Sequence, residues 1–489
     1  MGTIVYRDRR KAQDMTPTLL KAYHSLPAPL RSFAASIRGF YLRSWRYGPE
    51  TERLAEEAVS RESWSQEQWR VWQEERLTYV LHRAATQVPY YREQWAERRR
   101  RGDQASWEYL ENWPILEKDS VRENAHAFVA DDCDLQKMFH EQTSGSTGKP
   151  LSLWASLQTL RTISAWSEAR IRYWNGVSRH DRWAMIAGQL VIPVKRRKPP
   201  FWVWNQGLNQ LYMSSYHLAP DLMGFYLDAI ARYRVTYLYG YSSSLYALAE
   251  TALELDRTDL RMTVALTSAE PLYDYQRATI GKAFKCPVRE TYGMAEIVAM
   301  ASECEAGRLH LWPEAGWVED IQDGQAVPYG ATGDLVCTGL LNADMPLIRY
   351  RLGDRGILAG NTGPCQCGRT LPVMRSVEGR ISDVLYTKDG RRVSRFGQVF
   401  NGDLGIREAQ VIQETLDCVK VKFVPTSTFA PHHEHLIIQR VKERMGDDVA
   451  VVMEPVTEVP RGASGKFRAV VCRLSEEYRT TADSHKNYT

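Results

Sequence analysis

Four short segments of this sequence hold residue types whose spacing suits the handling of a phosphorylated ligand. The first is Thr143-Ser144-Gly145-Ser146-Thr147-Gly148-Lys149-Pro150. Its two glycines allow a tight turn that exposes backbone amides, and the hydroxyls and Lys149 add donors, which together make a phosphate cradle. It is not a Walker loop: Gly145 and Gly148 stand too close together, and Pro150 takes the place of the magnesium-binding hydroxyl. The second is Glu290-Thr291-Tyr292-Gly293-Met294-Ala295-Glu296. There a ring can stack on a purine, Gly293 permits close approach, and Glu296 offers a carboxylate to Mg2+. The third, Met345-Pro346-Leu347-Ile348-Arg349-Tyr350-Arg351-Leu352-Gly353-Asp354, sets an acid after a turn glycine, suited to a ribose diol. The fourth, Pro460-Arg461-Gly462-Ala463-Ser464-Gly465-Lys466, carries a lysine at the tip of a small-residue run. Taken singly, each reads equally well as a linker, a strand end or a solvated loop.

The elements that must position these groups fall into three textures. From Leu19 to about Leu110 the pattern is helical and rich in Trp and Arg. Between Leu30 and Tyr47, Leu30, Phe33, Ala34, Ile37, Phe40 and Tyr41 share one helix face, while Arg31, Arg38, Arg43 and Arg46 crowd the other. Docking of that apolar face on a neighbouring domain is the expectation; contact of residues 30–47 with an anionic membrane surface is the alternative. The Arg98–Arg101 and Lys195–Lys198 runs read as solvated loops. From about Lys137, helix-like Pro220–Arg234 and Ser244–Leu255 alternate with strand-like Val235–Tyr239 and Met262–Thr267, which predicts βα units and a largely parallel sheet. After Glu378 the pattern becomes a small α+β unit. Asp389-Gly390 marks a two-residue hairpin between Val384–Thr387 and Arg391–Ser394. Val419, Val421 and Phe423 alternate as a half-buried strand, His432–Met445 reads as a helix and Val449–Met453 as a short strand.

Composition bounds the class. The 489 residues are 44% hydrophobic and 25% charged, and 63 basic against 59 acidic side chains give a net +4. Such length accommodates about three domains, or one large enzymatic domain with a smaller partner. A near-neutral surface argues against a dedicated nucleic-acid binder. No apolar run approaches the roughly 18 residues of a membrane-spanning helix, and MGTIVYRDRR lacks a signal-peptide pattern, so a cytoplasmic protein is expected. Cys133, Cys286, Cys337, Cys418 and Cys472 stand alone and read as small buried hydrophobes.

In their order along the chain, the four segments resemble the adenylate-forming superfamily of acyl-CoA synthetases, adenylation domains and luciferases. Ser268-Ala269-Glu270-Pro271, the MPLIRY run with Gly353-Asp354, Cys365-Gln366-Cys367-Gly368-Arg369, and Glu378-Gly379-Arg380 leading into Asp383 are most similar to the phenylacetate–CoA ligase-like branch, including its capsular-polysaccharide-locus members. The resemblance spans about Leu54 to Arg473. It implies an α/β fold: a large adenylation domain over residues 1–378, with a helical lead-in over 1–130, and a small mobile α+β domain over 379–489. It also implies that Thr143–Lys149 holds the β- and γ-phosphates of ATP and that Ser268, Ala269, Glu270 and Pro271 border the adenine. Tyr292 would pack on the adenine face, Glu296 bind Mg2+, and Asp354 with Arg380 hold the ribose. Lys466 would be the mobile catalytic cation and Asp383 the hinge. Two positions depart from the family pattern: Ala295 stands where a Thr or Ser often contacts the α-phosphate, a role left to a backbone amide or Thr291, and Ser382-Asp383 replaces two consecutive acids.

Cys304, His310, Cys365 and Cys367 form a second constellation. Three thiolates and one imidazole suit tetrahedral, structural Zn2+, although the spacing is not that of a standard finger. Some relatives in this branch carry the same set, so the resemblance implies zinc; the alternative is two unrelated reduced cysteine neighbourhoods. His432-His433-Glu434-His435 reads as a solvated helix start. The activity implied is an ATP-dependent ligase that makes an acyl-adenylate from a carboxylic acid and passes the acyl group to coenzyme A. The alternative acceptor is an amine, and a catalytically silent scaffold is disfavoured by Lys149, Glu296, Asp354 and Lys466 occurring together. Tyr239-Gly240-Tyr241-Ser242, at a strand end, is expected to border the acid.

Overall fold

The alternation of residues 183–293 becomes the parallel centre of a 13-stranded sheet. A computed structural model describes residues 7–8, 17–143, 151–188, 191–193, 195–269, 272, 274–322, 324–360, 363–378, 385–389, 391–393, 396–400, 404–425, 427–457, 459 and 470–475. Strands Gln210–Ser214, Trp183–Ala187, Tyr237–Tyr241, Val264–Ser268 and Val288–Gly293 lie side by side in that order and run parallel. Helices Pro220–Arg232, Ser242–Glu254 and Asp274–Phe284 make the crossovers. Side chains alternate between two cores: Met185, Tyr239 and Leu266 pack on one face, and Ala184, Ile186, Leu238 and Ala265 on the other. Strands covered on both faces are apolar throughout, as WAMIA and VALTS are.

The sheet is parallel only in those five strands, fewer than the texture suggests. Seven strands beyond Val288–Gly293, all from residues 300–378, pair antiparallel, and Trp202–Asn205 closes the other edge antiparallel. Among the described residues, none of the connections within 300–378 carries a helix of the kind that links parallel neighbours, and consecutive strands such as Met300–Glu303 with Leu309–Leu311 and Gly316–Gln322 with Gln325–Ala326 pair as antiparallel hairpins.

The lead-in is helical: Ala28–Arg46, Thr51–Ser60, Gln66–Gln87 and Pro89–Arg100. The Arg98–Arg101 run is not a loop. It closes the last helix, where cations favour the C-terminal dipole and Arg98 lies 4.2 Å over the Trp95 ring. The lead-in is clamped to the sheet by Arg170, fully buried, which donates to both Glu314 oxygens at 2.7 and 2.8 Å and to Ala58 O at 3.2 Å.

Helix Ala28–Arg46 docks by the face opposite to the expected one. Ser36 and Gly39 are buried, whereas Leu30, Phe33, Ile37 and Phe40 are 50–64% exposed. Small residues explain this. A Cβ on Gly39 would stand 1.7 Å from Asn205 Oδ1, and one on Gly207 would stand 2.2 Å from Phe40 N, so only two glycines allow the backbones this close. Ser32 Oγ accepts from Trp204 N at 3.2 Å and Ser36 Oγ from Gln206 N at 3.0 Å. The helix thereby covers the sheet edge, whose unpaired amides would otherwise need water.

The C-terminal unit is a four-stranded sheet in the order Ala450–Pro455, Cys418–Pro425, Ile406–Thr415 and Val470–Cys472, with helix Pro431–Met445 packed on it. The hairpin Leu385–Tyr386 with Arg392–Val393 forms, but Thr387 N donates to Arg391 O at 3.0 Å, which leaves three residues in the turn rather than two. Arg391 Nη1 donates to Tyr216 O at 2.6 Å and Arg444 Nε to Tyr216 Oη at 3.2 Å, joining this unit to the large one. The Lys195–Lys198 loop also reaches it, through Lys195–Asp447 and Arg197–Asp389 ion pairs.

Candidate functional site

Open α/β sheets place ligands at the carboxyl ends of their parallel strands. Three of the expected segments end there in neighbouring registers: Tyr241 lies opposite Ser268, and Ser268 opposite Thr291. Thr291 Oγ1 donates to Thr267 O at 2.8 Å, which fixes a buried hydroxyl between two strand ends. Tyr241 Oη accepts from Gly188 N at 3.2 Å, and Tyr239, Tyr241 and Ser242 are buried beside it.

Two long-range hydrogen bonds draw the second and third segments into one site. Tyr292 Oη donates to Asp354 Oδ2 at 3.0 Å, and Tyr350 Oη donates to Glu296 Oε1 at 3.0 Å. In a flat sheet, strands Val288–Gly293 and Tyr350–Leu358 would lie four spacings of about 4.8 Å apart, roughly 19 Å. The antiparallel half therefore curls back over the parallel strand ends. At Asp354 the pairing register shifts and Gly353 has φ +82°, a bulge that turns the acid out of the ladder.

Glu296 is 7% exposed and also meets Lys118 Nζ at 3.1 Å. Burial pushes its carboxyl up, but Lys118 and the Tyr350 hydroxyl outweigh that and hold it below the ordinary carboxylate range. Glu290, by contrast, is raised to about 7 by burial and by the charge of Glu303. Neither Lys118 nor Tyr350 was assigned a role from sequence. Tyr350 ends the MPLIRY run, whereas Lys118 is a lone lysine whose neighbours give no signal.

The phosphate loop can be placed only by its ends: Thr143 and Leu151 are paired across strands Phe139–Thr143 and Leu151–Ala155. Ser144, Gly145, Ser146, Thr147, Gly148 and Lys149 lie outside the described residues, as do Glu270, Pro271, Arg380, Asp383 and Lys466.

Cys304, His310, Cys365 and Cys367 come together, their ligand atoms all within 4.8 Å of one another. Cys304 Sγ is 3.9 Å from Cys365 Sγ, and Cys367 Sγ is 3.5 Å from His310 Nε2. Imidazole Nδ1 donates to Leu371 O at 3.0 Å, which leaves Nε2 as the free electron pair in the neutral ring. Two matching turns present the thiols. In Cys304-Glu305-Ala306-Gly307-Arg308 and Cys365-Gln366-Cys367-Gly368-Arg369 the cysteine N donates to the arginine O, and the glycine N to the cysteine O. Both glycines have positive φ, +72° and +82°. The Cys-x-x-Gly-Arg repeat was the available sequence signal for this likeness. The histidines of the second cluster bond locally instead: His433 Nδ1 accepts from Ala430 N, and His435 Nδ1 lies 2.7 Å from Pro431 O.

Comparison with known proteins gives the family of the chain. Residues 72–344 match the AMP-binding enzyme family, and residues 385–473 match the CapK C-terminal domain. The chain is 26% identical over 371 residues to Protein CapK of Staphylococcus aureus, covering 73% of this chain and 79% of that one. It is 25% identical over 340 residues to a phenylacetate-coenzyme A ligase of Pseudomonas putida, covering 64% and 70%. Its fold is similar to that of 2-hydroxyisobutyryl-CoA ligase in complex with 2-HIB-AMP and CoA, with a TM-score of 0.53, 20% identity, and 88% and 94% of the two chains covered.

Proposed function

The chain belongs to the AMP-binding enzyme family, in the adenylate-forming superfamily, and we propose on that premise that it is an AMP-forming acid–thiol ligase. In the first half-reaction a carboxylate oxygen attacks the α-phosphorus of ATP; the bond to the β-phosphate breaks and pyrophosphate leaves. In the second, the coenzyme A thiol attacks the acyl carbon, its proton passes to solvent or a base, and the acyl C–O bond breaks so that AMP leaves with that electron pair. The observation that supports this reading best is the convergence of Tyr292, Asp354, Glu296, Tyr350 and Lys118 at the ends of parallel strands. The phenylacetate-coenzyme A ligase relatives support coenzyme A as the acceptor.

Asp354 would accept the ribose hydroxyls while Tyr292 both orients that carboxylate and offers its ring to the adenine. Glu296 fits Mg2+, which is commonly held by one or two carboxylates with substrate phosphates completing the shell. The bound ion would neutralise charge on the phosphates. Lys118 and Tyr350 hold Glu296 in place. The acid would lie beside Tyr239, Gly240, Tyr241 and Ser242, and Lys149 and Lys466 would meet phosphate and carboxylate. The division near Glu378, with Asp383 as hinge between the two half-reactions, belongs to the same proposal.

Zn2+ fits the thiol–imidazole cluster. A tetrahedral ion with bonds of about 2.3 Å to sulfur and 2.0–2.1 Å to nitrogen sets S···S near 3.8 Å and S···N near 3.5 Å. The observed 3.9 and 3.5 Å separations agree with those edges. Four protein ligands leave no open position, so its role is structural.

The test is exchange of labelled pyrophosphate into ATP across a panel of carboxylic acids, with and without coenzyme A or candidate amines. Acid-dependent exchange is expected, with AMP and a thioester forming once coenzyme A is added, and Glu296→Gln should lower exchange by at least about 100-fold. ATP cleavage to ADP, or exchange unaffected by Glu296→Gln, would overturn the reading; an adenylate discharged only by amines would overturn the acceptor.

A further inference from the structure

The exposed stripe on helix Ala28–Arg46 has no role in the site described above. Leu30, Phe33, Ile37 and Phe40 fall within roughly 80° of one another around the helix. They are 50%, 64%, 56% and 52% exposed, and the opposite face holds the helix to the sheet edge. Two large aromatic and two aliphatic side chains in one line form a continuous apolar ridge about 15 Å long.

Charge around the ridge is of one sign. From Met15 to Pro49 the sequence has no Asp or Glu, and it has Lys21, Arg31, Arg38, Arg43 and Arg46. Arg38 and Arg43 are exposed and stand about 100–120° from the ridge centre, one on each side. The Lys195–Lys198 loop extends the basic zone. Its Arg196 reaches His24 O at 3.4 Å, and Arg31 reaches Pro200 O at 3.4 Å, so loop and helix end are neighbours. Lys195 and Arg197 pair with Asp447, Asp221 and Asp389, while Arg196 and Lys198 are exposed beside the helix.

We infer that this helix is an interfacial docking element for an anionic lipid surface. An apolar ridge flanked by arginines is the pattern of a helix that lies in the plane of a bilayer interface, its ring side chains among the acyl chains and its cations among the phosphates. A second copy of the chain fits poorly, because apposing two ridges would bring two sets of arginine flanks together with no acid on either helix to pair them. The binding is reversible and peripheral: one short ridge is far from a spanning segment, and among the described residues no helix is long and apolar enough to cross a membrane.

The experiment is co-sedimentation of the full chain with mixed phosphatidylcholine–phosphatidylglycerol vesicles, alongside pure phosphatidylcholine vesicles. The chain is expected to bind the anionic vesicles, to bind the neutral ones at least about ten-fold more weakly, and to be released as salt rises. Phe33→Ser/Phe40→Ser should weaken binding by about 30-fold, the burial of two half-exposed rings being lost. Arg38→Glu/Arg43→Glu should weaken it by at least about ten-fold. Circular dichroism and the thermal transition should be those of the parent, because these side chains point away from the docked face. Should the double Phe variant misfold, Leu30→Asn/Ile37→Asn makes the same test. A parent that stays in the supernatant with anionic vesicles overturns the inference, as does a folded ridge variant that sediments like the parent. Light scattering that finds a dimer which the ridge substitutions dissociate, without vesicle binding, assigns the ridge to self-association and also overturns it.

Discussion

The hydrogen bond from Tyr292 to Asp354 joins residues 62 apart in sequence, and a double-mutant cycle isolates it. Tyr292→Phe keeps the ring and removes the hydroxyl, and Asp354→Asn keeps the shape and removes the charge. Hydrogen bonds to charged groups contribute about 1.5–3 kcal/mol, and Asp354 is only half-buried, so the lower end applies, about 1.5 kcal/mol. That corresponds to roughly a ten-fold change in an equilibrium constant. With an acid substrate identified, Tyr292→Phe is expected to raise KM for ATP about ten-fold and to leave kcat within about two-fold, since under the proposed function the lost contact orients the ribose-binding carboxylate and touches no reacting atom. Asp354→Asn should cost more, on the order of 100-fold, because it removes the charge and replaces one of the two acceptor oxygens with a donor. The double variant should match Asp354→Asn, leaving a coupling of about 1.5 kcal/mol; calorimetric titration with ATP gives the same cycle without turnover. If the two single effects add to within about 0.5 kcal/mol, the residues act independently and the single ribose grip is refuted. A change confined to kcat would refute it too.

Three further outcomes follow from buried charge and the thiol cluster. Glu314→Ala leaves the fully buried Arg170 with Glu62 at 3.6 Å as its remaining acid, so urea unfolding should report a loss of about 3–5 kcal/mol, largely restored by Arg170→Met in the same chain; a loss under about 1 kcal/mol would discount the clamp. Glu290, raised to about 7, is neutral in folded and unfolded chains alike below its unfolded value and incurs its cost as pH rises from there through 7. Glu290→Gln should therefore be more stable than the parent at pH 8, by about 1–2 kcal/mol, and indistinguishable near pH 4, which thermal melts at the two pH values would check. Elemental analysis of the purified protein should find about one zinc per chain, lost in Cys367→Ser together with several degrees of thermal stability, and metal-free protein whose three cluster thiols titrate readily in the native state would contradict the assignment.

What the sequence disclosed depended on how local the cause was. The strands Val264–Ser268 and Cys418–Pro425 and the helices Pro220–Arg232 and Pro431–Met445 fall within a few residues of where apolar periodicity puts them, because burial of their own side chains decides them. The Glu290–Glu296 and Met345–Asp354 segments, which the structure brings together, were legible for the same reason: each carries its chemistry in a few consecutive residues. The Tyr292–Asp354 and Tyr350–Glu296 contacts were not, since they arise from the curl of a sheet whose intervening strands come from residues 300–378. Helix Ala28–Arg46 was read on its wrong face because periodicity weighs apolar side chains alone. The docked face is made by Ser32, Ser36 and Gly39, whose merit is small size and a hydroxyl at the right depth. Lys118 had no signature at all; its importance exists only through the carboxylate it meets.

Backbone conformation gives a second, independent sign of where the large unit is held against its own preferences. Ala269, Ile297 and Arg349 all have positive φ, at 70°, 54° and 45°. Such a conformation costs a non-glycine residue roughly 1–3 kcal/mol, and a β-branched one is a true outlier. Of the seven such residues among those described, four (Asn209, Arg234, Asp256 and Lys285) lie in turns and these three border the site: Ala269 follows the strand Val264–Ser268, Ile297 follows Glu296, and Arg349 precedes Tyr350. Ile297 and Arg349 are over-determined by their surroundings. Ile297 is fully buried, with its amide on Met294 O at 3.2 Å. Arg349 donates from its amide to Thr338 Oγ1 at 2.9 Å and from its guanidinium to Glu319 at 3.1 and 3.2 Å and to Trp113 O at 3.0 Å. A glycine would relieve the strain at 297 but forfeit a core side chain, so the chain keeps both the strain and the packing that offsets it. The consequence is that Glu296 and Tyr350 are aimed by backbone held in place by packing and hydrogen bonds before any ligand arrives, which under the proposed function is the preorganisation that charge stabilisation at a reacting phosphate requires.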